Sequence, residues 1–229
     1  MPLSRFVRSA FALLLFITAG ARVTLSQETD PREPLAVARL RYGGGGDWYN
    51  DPSVIPNLST EIEKRTGILL SKREAVVSAE EADLFQYPFL FMTGHGNVSF
   101  TDPEAKRLRL YLEAGGFLYA DDDYGMDESF RREMKRVFPD VEMVELPLDF
   151  PLYHVPYDFS GGLPKIHEHD GKPPQGFGIF LRERLVVYYT YETNISDGWA
   201  DPGVHNDPEE KREQAFRMGT NIFTYAVTH

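Results

Sequence analysis

The sequence predicts an α/β domain built on an open, mostly parallel sheet with helices on both faces. Three observations predict it. Short apolar runs alternate with amphipathic helical patterns from Ala36 to Leu146, and such alternation implies right-handed crossovers and a covered sheet. Phe89-Leu90-Phe91-Met92 is apolar at every residue, as in strands buried on both faces. Segments rich in glycine, histidine and aspartate follow the strands, at the carboxyl edge where such sheets bind ligands.

Ala36 to Tyr42 reads as the first strand. A helix follows, with Pro56 near its start, Leu58 and Ile62 four apart and Gly67 as its stop. Val76-Val77 is a weak strand and Phe89 to Met92 a strong one, bounded by Pro88 and Gly94. Thr101-Asp102-Pro103-Glu104 is a capping box with proline in the first turn, where its missing N–H costs nothing. Leu108, Tyr111 and Leu112 share one face of that helix, and Gly115-Gly116 ends it. Phe117 to Ala120 returns as a strand. Phe130, Met134, Val137 and Phe138 then recur at helical spacing up to Pro139.

Val141 to Leu146 alternates as a strand, and Pro147 to Gly178 is a long irregular segment. A run of that length inside a domain is uncommon, and it either serves function or covers something. Ile179–Leu181 and Leu185–Thr190 flank Arg182-Glu183-Arg184 as a hairpin with a three-residue loop. Asp207-Pro208-Glu209-Glu210 caps a last helix through Ala226. Gly219 inside it costs about 1 kcal/mol against alanine, which a close approach to the sheet would justify. The order of elements fits a flavodoxin-like sheet ending in a hairpin and a helix.

Arg5 and Arg8, the short apolar run Ala10–Gly20 and Ala19-Gly20-Ala21 have the form of a cleavable signal peptide over residues 1–21. That run is far short of the about 20 residues a spanning helix needs. A polar lead-in over 22–34 and a single domain over 35–229 are expected to follow. The product is then exported, periplasmic or extracellular, with no stable membrane insertion. The 24 Lys and Arg against 35 Asp and Glu give a net charge of −11. With no basic stripe, nucleic acid is not an expected partner. The chain contains no cysteine, which excludes disulfides, thiol chemistry and a lipid-modified cysteine.

Three segments carry candidate chemistry. Gly43 to Gly46 lets the backbone approach a ligand closely, but Asp47 and Asp51 follow where a phosphate cradle would need Lys and Ser or Thr. Trp48 and Tyr49 suit stacking on a flat or sugar-like ligand; they equally suit an aromatic plug. His95, between Gly94 and Gly96 at a strand end, fits proton transfer or ligation, and as well a turn whose imidazole bonds the backbone. Asp121-Asp122-Asp123 forms an acidic triplet in which at least one pKa should rise unless a cation or a helix N-terminus compensates. His167-Glu168-His169-Asp170 gives only a weak metal signal, and His154 and His205 stand alone. The candidate cleft is therefore Asp47, Trp48, His95, Asp121, Asp122 and Asp123, with no metal site and no cofactor assigned. No Gly-x-Ser-x-Gly elbow and no His-Glu-x-x-His motif occurs.

Several stretches resemble an uncharacterised bacterial family, that of domain of unknown function 4159. They include Arg41-Tyr42-Gly43-Gly44, Thr93-Gly94-His95-Gly96, Leu112 to Asp122, Lys165 to Asp170, Asp197-Gly198-Trp199 and Met218 to Ile222. The resemblance implies a class I glutamine amidotransferase-like fold, a three-layer relative of flavodoxin. Working amidotransferases carry a cysteine at a strand-to-helix elbow; the comparable turn here is Asp121-Asp122-Asp123, so glutaminase activity is not implied. Some relatives are fused to, or encoded near, envelope proteins with von Willebrand-type domains. The resulting expectation is a non-catalytic module binding an unknown ligand or an envelope protein partner. The alternative is a metal-assisted hydrolase of carbohydrate or cell-wall material.

Overall fold

The computed structural model describes residues 34–229. The signal peptide expected at 1–21, and the lead-in up to residue 33, lie outside the described residues. In chain order the elements are β1 (Val37–Arg41), α1 (Val54–Thr66), β2 (Ala75–Ser78), β3 (Phe89–His95), α2 (Asp102–Glu113), β4 (Phe117–Tyr124), α3 (Asp127–Val137), β5 (Val144–Glu145), β6 (Gln175–Leu181), β7 (Arg184–Tyr191) and α4 (Glu209–Thr228). The strands form one sheet ordered β2-β1-β3-β4-β7-β6-β5. The first four strands and β7 run parallel, while β6 is antiparallel to both its neighbours. The fold is an α/β sandwich of flavodoxin-like type with a C-terminal antiparallel hairpin and helix.

The period of two along each strand divides the core. Val37, Phe89, Phe91, Phe117 and Tyr119 face α1 and α4, together with Ile62, Trp199 and Ile222. Ala38, Leu40, Leu90, Met92, Leu118 and Ala120 face α2 and α3, with Leu108, Phe130 and Met134. Both faces of the central strands are thus dry, which explains their unbroken apolar runs. The caps read from sequence hold at two helices. Gly67, at φ +77°, donates its N–H to Glu63 at 2.8 Å. Thr101 and Glu104 close the box on α2, at 2.7 and 3.3 Å.

Six local expectations change. The triplet Asp121–Asp123 lies inside β4 rather than after it, because β3 continues through His95 and pairs with it. The fifth strand shrinks to Val144–Glu145; its one neighbour supplies partners only at Gly178 and Phe177. Instead β7, the second strand of the hairpin, docks on β4. The hairpin turn has two residues, not three: Arg182 and Glu183 have φ of 48° and 70°, as a type I′ turn requires. The segment from Pro147 gives up Gln175–Gly178 to β6, and it buries Leu152, Tyr153, Phe159 and Ile166 in the core on the α4 side. It is a cover. Gly219 does make a close approach, but to α1 and Trp199: a Cβ there would lie 2.6 Å from Leu58 Cδ1 and from Trp199 Cζ2. Asp207 makes no side-chain cap on α4; its carboxylate is engaged elsewhere.

Candidate functional site at the carboxyl edge of the sheet

Parallel strands deliver their following loops to one rim, and β4 is central to it. Strand alternation gives its three aspartates separate surroundings. Asp121 faces the α1–α4 side. There it accepts from Ser196 N and Oγ, each at 2.7 Å, from Thr193 Oγ1 at 3.1 Å and from Thr190. Burial raises its pKa to about 6 against these bonds. Asp122 faces the other side, and its Oδ1 accepts from Met126 N at 2.8 Å and Tyr124 N at 3.2 Å. It therefore caps the start of α3, the dipole role anticipated for part of the triplet. Burial still raises it to about 6.

Asp123 is different. Asp122 pairs with Gly94 and Tyr124 with His95, so Asp123 is the extra residue of a bulge, a device that re-aims side chains. Its carboxylate meets groups from three segments: the loop after β1, the end of β3 and the connection between β7 and α4. Asn194 Nδ2 donates to Oδ1 at 2.8 Å, and Asn50 Nδ2 donates to Oδ2. His95 Nδ1 lies 3.4 Å away. Carboxylate oxygens of Asp51, Asp123 and Asp197 all lie within 4.8 Å of one another. Burial, then the charge of Asp197, pushes the Asp123 carboxyl up to about 9. Burial would also raise Asp197, but His167 and His205 hold it below the usual carboxylate range. One proton is therefore shared in favour of Asp123.

Around Asp197 a second set closes. His167 Nδ1 lies 2.7 Å from Asp197 Oδ2, and its Nε2 lies 3.0 Å from Asp207 Oδ1. The hydrogen bond to Asp197 raises the His167 pKa. His205 Nε2 is 3.1 Å from Asp51 Oδ2 and 3.8 Å from Asp197 Oδ1. Ligand atoms of His167, Asp197 and His205 also lie within 4.8 Å of each other. Among the described residues, no Lys or Arg forms an ion pair with Asp51, Asp123 or Asp197.

The loop after β1 is held in register by Arg39. Almost fully buried, it pairs with Glu74 and donates to Trp48 O at 3.0 Å and Asp51 O at 3.2 Å. Asp47 meets His95 Nδ1 at 3.0 Å. Gly94 permits this approach, for at φ +145° a Cβ would sit 2.2 Å from Tyr42 Oη and 3.1 Å from Asp47 Oδ1. Trp48 packs against the core while Tyr49 is 65 % exposed, so the stacking surface on this loop is the tyrosine. Of the residues singled out from sequence, Asp47, His95 and Asp123 come together; Asp121 serves the scaffold beside them, and Asp122 both bonds the start of α3 and lines the neighbouring cleft.

Asp51, Asn194, Asp197 and Asp207 carry no local motif that marks them as site residues, and His167 and His205 give only weak or isolated signals. Two signals could have found part of this set. Lys165–Asp170 and Asp197–Trp199 both belong to the stretches that resemble the family, and neither is needed for a sheet.

Beside the cluster opens a cleft of about 330 Å³ whose lining includes Asp122, Tyr124, Asp127, Glu128, His169, Asp170 and Tyr191. Tyr124 stacks on His169 with ring centroids 4.6 Å apart. His169 in turn bonds Asn194 Oδ1 at 2.8 Å, which links the cleft wall to the Asp123 cluster.

The model of one family, domain of unknown function (DUF4159), matches residues 36–227. The chain belongs to the DUF4159 family. The match covers every strand and nearly all of α4, so the rim described above is the rim of the DUF4159 domain. Comparison with curated proteins finds no match. No helix among the described residues is long and apolar enough to cross a membrane.

Proposed function

We propose that this DUF4159 domain is an exported ligand-binding module of the cell envelope, and that its ligand is hydroxyl-rich, of the cell-wall glycan class. One observation carries the reading: the cleft beside Asp122 joins aromatic rings to carboxylates. Tyr124, stacked on His169 and 49 % exposed, and Tyr191, with Lys172 over its ring, offer ring surface, and Asp122, Asp127, Glu128 and Asp170 line the same wall. Rings pack against the apolar faces of sugars, and carboxylates accept from their hydroxyls. The charge of −11 disfavours polyphosphate ligands. With no cysteine in the chain, the thiol chemistry of amidotransferases is not available to it.

Calorimetric titration of the exported protein with chito-oligosaccharides and soluble peptidoglycan fragments tests this. At least one should bind, and Tyr124→Ala should weaken it about tenfold, the scale of a lost stacking contact. Absence of binding by either class ends the reading. A second reading, a metal-assisted hydrolase of the same material, draws support from the imidazoles and carboxylates clustered next to the cleft. Release of reducing ends from those substrates would favour it.

A further inference from the structure

We propose that His167, His205, Asp197, Asp51 and Asp123 form the binding site of one divalent first-row transition-metal ion. The inference goes beyond the glycan reading and stands whether or not a glycan occupies the cleft.

The donor atoms have the right spacing. With bonds of about 2.1 Å, two ligands of one ion lie roughly 3 to 4 Å apart. The two sets His167–Asp197–His205 and Asp51–Asp123–Asp197 each fall within 4.8 Å and share Asp197. Asp197 is therefore the ligand common to both, with His205 Nε2 bridging toward Asp51 Oδ2 at 3.1 Å. Side chains of Asp123 and Asp197 are 2 % and 3 % exposed, and carboxylates so buried and so close require a compensating cation or a proton.

The surroundings are those of a ligating imidazole. A metal-bound histidine almost always gives its other ring nitrogen to a carboxylate, which fixes tautomer and orientation. His167 does so through Nε2 to Asp207 Oδ1, leaving Nδ1 directed at Asp197. The Asp207 side chain is only 7 % exposed, and its Oδ2 is buried without a partner. Asn50, which donates to Asp123, likewise has a buried, unpartnered Oδ1. The Asn50 acceptor, on a side chain bonded directly to Asp123, would be satisfied by water carried on the ion. Mixed imidazole and carboxylate donors select zinc, manganese, iron or cobalt over calcium and magnesium, which favour all-oxygen sites.

Dialysis of chelator-stripped, full-length protein against zinc, manganese or cobalt chloride, followed by elemental analysis, provides the test. The expected result is one ion per chain, with a cobalt absorption spectrum showing nitrogen ligation. His167→Ala/His205→Ala should lose the stoichiometric ion. If that variant does not fold, Asp207→Asn replaces it: the carboxylate partner of His167 is removed, and the metal Kd should rise about tenfold or more. Wild-type protein that retains none of the three metals would overturn the inference, as would unchanged affinity in the folded variants. Glycan titration repeated in chelator separates the two readings. Binding of sugar without metal would leave the cleft standing alone, and binding of metal without sugar would leave the ion site standing alone.

Discussion

Asp121 accepts from Thr190, Thr193 and both donors of Ser196 in a fully buried setting, so its carboxylate anchors the loop that carries Asn194 and Asp197. Truncation by Asp121→Ala strands several buried donors, and urea unfolding should show a loss of about 3 kcal/mol or more. Asp123 sits two residues on and accepts from Asn194 and Asn50. Asp123→Asn sets an amide nitrogen against one of those two donors but keeps the shape of the side chain, so it should cost less stability than Asp121→Ala while removing one donor of the proposed metal site. Equal losses at both positions would refute this division between scaffold and site. The sequence displays the triplet and implies that at least one pKa rises unless a cation or a helix N-terminus compensates. It could not say which aspartate did which, since that depends on the face each presents and on a bulge set by β3. Nor could Asp51 be grouped with Asp197 and His205, for no local spacing links the loop after β1 to the connection between β7 and α4.

Elements with local signals were legible; those defined by a distant partner were not. Thr101-Asp102-Pro103-Glu104 and Gly67 fix helix ends through bonds within a few residues of themselves. By contrast, the length of β5 and the docking of β7 beside β4 are decided by strands far away in sequence. The turn of the hairpin was placed one residue too long, because neither Arg182 nor Glu183 advertises a positive φ. Replacing the pair by Asn-Gly, which favours that geometry, should stabilise the protein by about 1 kcal/mol, read as a higher Tm. Between α1 and α4 an ion pair adds to the apolar packing. Arg65 donates to both oxygens of Glu213, at 3.1 and 2.7 Å, and with Arg217 lowers its pKa from 4.5 to about 2. A depressed carboxyl stabilises the fold above its unfolded pKa and loses that contribution as pH falls through the folded one. The stability gap between wild type and Glu213→Gln should thus persist at pH 7 and close between pH 4.5 and about 2 in denaturant titrations. A gap independent of pH would assign the effect to packing instead.

At the scale of the whole molecule, the core on the α1–α4 face and the rim site share one support. Trp199 is fully buried, its ring centroid 5.6 Å from that of Phe91 and 5.9 Å from that of Tyr119, and Nε1 donates to Ala215 O at 2.8 Å. It lies two residues after Asp197, within the short 3-10 segment Ile195–Trp199. Whatever displaces Trp199 must shift Asp197 as well, because packed interiors transmit strain rather than absorb it. Gly219→Ala is the smallest probe of that coupling. The added methyl would meet Leu58 and Trp199 at 2.6 Å; the Leu58 methyl can turn aside, but the rigid Trp199 ring retreats only by moving the 3-10 segment. Overpacking of this kind costs about 1 to 3 kcal/mol, partly offset by the better helix propensity of alanine. The variant should unfold at lower urea and also bind metal more weakly, although residue 219 touches none of the proposed ligands. Isothermal titration of the folded variant with zinc checks the second effect. Wild-type zinc affinity in a clearly destabilised Gly219→Ala would mean that the rim is held independently of the core beneath it, with Asp121 and its hydroxyl partners as sufficient support.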